Sequence, residues 1–201
     1  MSRLESHMDP MTALSMTTTF TRWAAFLLLL AGCASEPRYK DKAMDFASVK
    51  TVAVLPFQNL SRDNQAPDRV RSVLSNALLA AGTFYVLPQG EVAHGLGKAG
   101  VVLPSTPTRE EVVSLGKALS VEAVVVGVLK EYGEIRAGSS SANAISLSVD
   151  IIETSTGKLV WSGSTTQGGI GMWDRLFGGG GEPMNKVTED AVDDLLRKLF
   201  R

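Results

Sequence analysis

Two residue counts narrow the chemistry open to this chain. Cysteine occurs once, at Cys33, and histidine twice, at His7 and His94. A disulfide within the chain is therefore impossible. His94 is the only histidine beyond the amino-terminal segment, and a metal site needs three or four convergent ligands, so a His-rich metal site is excluded by count. No Gly-x-Ser-x-Gly elbow is present for a serine nucleophile. Gly95-Leu96-Gly97-Lys98-Ala99-Gly100 spells the glycine pattern of dinucleotide sites, but that mechanism needs the first glycine directly after a strand, with the helix amino terminus facing a pyrophosphate. Here the nearest expected strand ends at Leu87, and Pro104 and Pro107 follow soon after. Gly178-Gly179-Gly180-Gly181 lacks the Lys-Ser/Thr of a phosphate loop and reads as a linker. Glu122, Asp150 and Glu153 are the carboxylates a hydrolase could use, although carboxylates on strands are usually solvated or ion-paired. No catalytic residue, metal ligand or cofactor is expected.

Cys33 has the context that the other candidates lack. Trp23 to Ala31 is an uninterrupted apolar run, preceded by Arg22 and by an acid-free stretch from Met11. It falls short of the roughly 20 apolar residues that span a bilayer and suits the core of a secretory signal. The run ends in Leu30-Ala31-Gly32-Cys33, which resembles the lipobox of bacterial lipoprotein precursors. That resemblance implies removal of residues 1–32, acylation of Cys33 and three buried acyl chains. At about 0.8 kcal/mol per buried methylene, these hold a membrane far better than one myristoyl chain. Ala34 stands where enteric lipoproteins retained in the inner membrane usually have Asp, so the resemblance implies the outer membrane, facing the periplasm. Met1 to Pro10 carries acids and His7 where export signals avoid them, so translation is expected to start at Met11 or Met16.

The elements that follow are those of a small α/β domain. Net charge is −1, from 20 basic and 21 acidic residues, so charge supplies no footprint for nucleic acid. Residues 33–48 are polar and aperiodic, a lipidated tether, and 49–201 form a single domain. Thr51 to Leu55 is β-branched and stops at Pro56, a short buried strand. Pro67 opens a helix with a stripe of Val70, Val73, Leu74, Ala77, Leu78 and Ala81, closed by Gly82. Phe84 to Leu87 is a second strand, and Glu91 to Lys98 a glycine-weakened helix. Thr108 and Glu111 match a capping box, and Val121 to Val128 reads as the central strand. From Asn143 the period changes to two, with Ile145, Leu147, Val149 and Ile151 on one face. A turn at Thr154 to Gly157 leads into Lys158 to Gly163, and a last helix from about Asn185 carries Val187, Ala191, Leu195 and Leu199. The fold class is α/β, a mixed sheet of about five strands with helices packed on it.

Between hairpin and last helix, residues 167–183 hold apolar side chains among glycines. Met172, Trp173, Leu176 and Phe177 either fold back on the sheet or stay available, in which case the aromatics are the residue types that anchor protein interfaces. Trp173 also suits a membrane interface.

Val52-Ala53-Val54-Leu55-Pro56-Phe57 with Asn59 and Ser61, Leu78 to Gly82, Leu115-Gly116-Lys117-Ala118-Leu119 before Glu122 to Val128, and Thr156 to Gly163 together resemble the CsgG-related lipoprotein domains. That set includes curli and holdfast secretion lipoproteins, LpoB activators of peptidoglycan synthases, the amino-terminal domain of TolB, and neisserial lipoproteins of unassigned role. The compact length and the glycine-rich insert look closest to the last group. The resemblance implies a non-catalytic accessory or assembly factor of an envelope complex, lipid-anchored to the membrane and bound to an envelope protein partner. Its alternatives are a homo-oligomeric secretion subunit or a synthase activator. A CsgG-type pore needs two membrane hairpins of about 9 to 11 residues per strand, and only 143–166 offers such a pair.

Overall fold

A computed structural model describes residues 38–137, 140–169 and 181–201. The elements in chain order are β1 (Arg38–Lys40), one 3-10 turn (Phe46–Ser48), β2 (Thr51–Val54), β3 (Gln58–Asn59), α1 (Ala66–Ala80) and β4 (Tyr85–Val86). They continue with α2 (Gln89–Ala99), α3 (Arg109–Leu119), β5 (Ala123–Ala137), β6 (Ser140–Glu153), β7 (Leu159–Gly168) and α4 (Met184–Phe200). Across the open sheet the order is β1-β7-β6-β5-β2-β4, with β3 pairing β5 further along its length. β2 is parallel to β4 and β5, whereas β5, β6, β7 and β1 are successively antiparallel. This is the mixed α/β sheet the sequence predicts, with seven strands in the described residues where about five were expected.

The interruption between β2 and β3 follows from Pro56, which has no N–H for the ladder. Val54 pairs with Val125, the chain leaves at Pro56, and Gln58 rejoins the same strand at Val128. Val54 O is taken by the buried Arg71 of α1, whose Nε and Nη2 donate to it at 3.0 and 2.8 Å. Burial lowers the pKa of this guanidinium, with nearby Asp68 opposing the shift. The helix therefore docks with a hydrogen bond as well as with its apolar stripe of Val70, Leu74 and Leu78.

Two cores form, one on each face of the sheet. Helices α1 and α4 cover one face, burying Val52, Val54, Val125, Leu147, Val149 and Trp161 among others. Helices α2 and α3 cover the other face only over β2 and the start of β5, where Val92, Leu96, Val112 and Leu115 meet Ala53, Leu55 and Val124. The capping box is made in both directions: Thr108 Oγ1 accepts from the Glu111 N–H, and Glu111 accepts from the Thr108 N–H at 2.7 Å.

Three element boundaries differ from those expected. Within the span 33–48, residues 38–40 pair with β7, and Met44 and Phe46 pack against the core. Its polar residues concealed this, because an edge strand shows one face and one margin to water. The central strand does not stop at Val128 but runs to Ala137, and the hairpin partner begins at Ser140 rather than Asn143. A register shift between Leu129 and Glu131 breaks the hydrophobic alternation there. The second strand contracts to Tyr85–Val86.

Candidate functional site

The residues with chemical potential are dispersed in the described structure. Glu122 Oε2 accepts the Thr51 N–H at 2.7 Å, and Glu153 accepts the Thr156 hydroxyl, so each carboxylate serves a local turn or strand end. Asp150 pairs with Val126 and Ser162 in the middle of the sheet, two residues along β6 from Ile152, which pairs with Val124. Glu122 and Glu153 do share a groove of about 440 Å³ with Lys117, Ser120 and Thr154, between α3 and the 3-10 turn. His94 lies exposed on α2, and no cluster of three metal-ligating side chains occurs among the described residues. The GxGxxG stretch lies within and at the end of α2. Gly95 is buried against Leu119 of α3, and Gly100 takes the left-handed cap with φ of 67°. These glycines serve helix packing and termination, and no strand precedes them in the way a dinucleotide site requires.

What the fold does present is a polar sheet face. Opposite α1 and α4, the antiparallel registers bring Ser146 beside Thr166, Ser148 beside Ser164 and Asp150 beside Ser162. Thr166 donates to Ser146 Oγ at 3.2 Å. Tyr39 of β1 extends the same row next to Ser162 and is 48% exposed. The alternation from Asn143 predicts this wet face, while the participation of Tyr39 had no signal in the sequence because three residues are too few to show a period. On the opposite, helix-covered face, a Cβ at Gly163 would meet the Trp161 ring at 2.5 Å, so the strand keeps glycine over the buried indole.

At the end of the sheet remote from the 154–157 turn, Asn143 Nδ2 donates to Glu182 O at 2.9 Å, tying the β7–α4 connection to β6. The predicted contact residues Met172, Trp173, Leu176 and Phe177 fall outside the described residues. So do the predicted lipidation site Cys33 and its lipobox neighbours Leu30, Ala31 and Gly32.

The described residues thus form an open mixed α/β sheet with helices packed on it and a polar face over β6 and β7. The sequence matches the family model described as "Putative lipoprotein GNA1162-like" over residues 40–170, and the chain belongs to this GNA1162-like family. Among solved structures it is similar to the PelC dodecamer from Paraburkholderia phytofirmans, with TM-score 0.54 and 16% identity over 81% of this chain and 96% of that one. It is also similar to lipoprotein GNA1162 from Neisseria meningitidis, with TM-score 0.52 and 20% identity over 75% and 95%. The LpoB carboxy-terminal domain from Salmonella enterica gives TM-score 0.47 and 16% identity over 63% and 86%. Curated proteins give no match. Of the set named from the sequence, the neisserial group is the one that the family match shows.

Proposed function

We propose that the protein is a non-catalytic lipoprotein of the outer membrane, anchored through acylated Cys33, facing the periplasm and serving as an accessory or assembly factor of an envelope complex. The observation that carries this reading is the match to a lipoprotein family that starts at residue 40, seven residues after the cysteine of Leu30-Ala31-Gly32-Cys33. The polar sheet face and the dispersed carboxylates are consistent with a role in binding. Mass spectrometry of protein from its native membrane should find Cys33 as the first residue, with acyl chains attached. Cys33→Ser should move the protein out of the membrane fraction, and an unmodified thiol in native material would refute the anchoring.

The partner is proposed to meet Trp173 and Phe177 with Met172 and Leu176. A photoreactive residue at 173 should crosslink to a single envelope protein. A second reading, an oligomeric secretion subunit, is favoured by similarity to a chain solved as a dodecamer. Light scattering distinguishes it, since a ring has many times the mass of one chain.

A further inference from the structure

Strand β1 constrains how such an anchored protein can sit. Only Ala34, Ser35, Glu36 and Pro37 separate Cys33 from Arg38. Extended chain covers at most about 3.6 Å per residue, so the anchor point lies within about 18 Å of Arg38. Arg38 pairs with Gly163, Gly163 with Val149, and Val149 with Gly127, so Arg38 stands level with Gly127 of β5. From there β5 continues for ten residues to Ala137, about 33 Å at strand rise. At the other margin, β4 lies five strand spacings from β1, about 24 Å away.

These lengths select among orientations. With the β5–β6 tip pointing at the bilayer, the tip would pass the anchor by about 15 Å and carry Glu134, Arg136 and Asn143 into hydrocarbon, where charges are strongly disfavoured. With the 154–157 turn leading, the four residues would have to reverse, because β1 runs antiparallel to β7 and its amino-terminal end therefore faces away from that turn. With β1 itself against the lipid, the tether needs neither insertion nor reversal.

The chemistry of that margin matches a lipid headgroup layer. Arg38, Lys40 and Lys42 are exposed beside Asp41, whose Oδ1 accepts the Ala43 N–H at 2.8 Å, and the exposed Asp45, whose Oδ1 accepts the Ala47 N–H at 3.0 Å. Lys40 also donates to Leu199 O at 3.3 Å and lies 5.0 Å over the Phe46 ring, and the exposed Lys158 immediately precedes β7. Tyr39 at 48% exposure and Leu159 at 41% place amphipathic and apolar surface along the same margin, as interfacial anchors do. We propose that the protein lies edge-on, with β1 against an anionic phospholipid surface that Arg38, Lys40 and Lys42 contact electrostatically. The inference rests on acylation of Cys33.

The test uses the full acylated protein in phosphatidylcholine–phosphatidylglycerol vesicles doped with a nickel-chelating lipid. Acylation consumes the only native thiol, so Tyr39→Cys, Leu103→Cys, Tyr85→Cys and Ile135→Cys each accept one nitroxide label. Relaxation by nickel should be strongest at 39 and several-fold weaker at 85, 103 and 135. Stronger relaxation at any of those three than at 39 overturns the edge-on placement. Salt at about 0.5 M, or R38Q/K40Q/K42Q, should at least halve the effect at 39, since exposed charge contacts are screened. An unchanged effect overturns the headgroup contact. Mass spectrometry of the same sample separates the premises: absent acyl chains refute the anchoring, whereas present chains with a remote residue 39 refute the orientation alone.

Discussion

Asp194 shows how one side chain couples helix to sheet. Its Oδ2 accepts from Thr165 Oγ1 at 2.8 Å on β7 and from Lys198 Nζ at 2.7 Å on α4, and Arg197 stands at 3.6 Å from Oδ1. Partial burial alone would raise its pKa, but the hydrogen bonds from Lys198 and Thr165 and the two positive charges together bring it below the ordinary 3.8. Exposed Glu111 is lowered from 4.5, first by the Thr108 N–H and then by that of Val102. A lowered carboxylate pKa favours the folded state above the unfolded value, and that contribution disappears as the pH falls through the folded value. The contribution of these two carboxylates should therefore be full at neutral pH and decline as the pH falls below 4.5 for Glu111 and below 3.8 for Asp194. Asp194→Asn should cost about 0.5–1.5 kcal/mol at neutral pH and flatten the acid slope of a urea-melt series. An unchanged slope would show the carboxylate to be uncoupled. Arg71 carries the complementary lesson about legibility. Nothing in the stripe of α1 marks an arginine as buried, because the need it meets, a strand carbonyl left without a ladder partner beside Pro56, arises 17 residues away in the chain.

At the scale of elements, the sequence exposed whatever was local. Thr108 and Glu111 announce α3, Pro67 and Gly82 bracket α1, and the stripe of Val187, Ala191, Leu195 and Leu199 gives α4, because caps and periodicity are written within one segment. Pairings were less legible. β1, β3 and the extension of β5 each owe their conformation to a neighbouring strand, and three or two polar residues carry no period of their own. Close approaches were also hidden. A Cβ at Gly116 would lie 2.3 Å from Thr154 Cβ, so α3 rests on the β6–β7 turn through that glycine. Thr154 meanwhile donates to Val121 O and is held fast. Gly116→Ala should lower stability by about 1–3 kcal/mol, despite the better helix propensity of alanine. That corresponds to roughly 2–10 °C in Tm for a domain of this size, and an unchanged or higher Tm would show that the helix can shift freely.

The whole molecule is guarded at both margins by very short strands, β4 with two residues and β1 with three. Short edges offer few free N–H and C=O groups to another chain. Removing residues 34–40 uncovers β7 at Trp161 to Gly163, next to the exposed Leu159. The truncated protein should self-associate in a concentration-dependent manner by light scattering at concentrations where the unacylated chain from residue 34 does not. Monodisperse behaviour would show that β1 is dispensable as a guard. The candidate interface divides in the same way between local and distributed information. The proposed lipobox is a contiguous signal, and the wet face follows from β6 alone. The row it makes with β7 and β1 exists only once three strands are in register.

The path of the chain also sets the timing of its assembly. β2 pairs with β5 some seventy residues later, and the face that α1 begins to cover is completed over β6 and β7 by α4 at the carboxy-terminal end. Synthesis proceeds from the amino terminus, and distant pairings are slow to close. Val149 and Trp161 must then wait, uncovered, for the last helix to emerge. The β5–β6–β7 meander holds together by consecutive antiparallel pairing, and its greasy underside stays open until the final helix arrives.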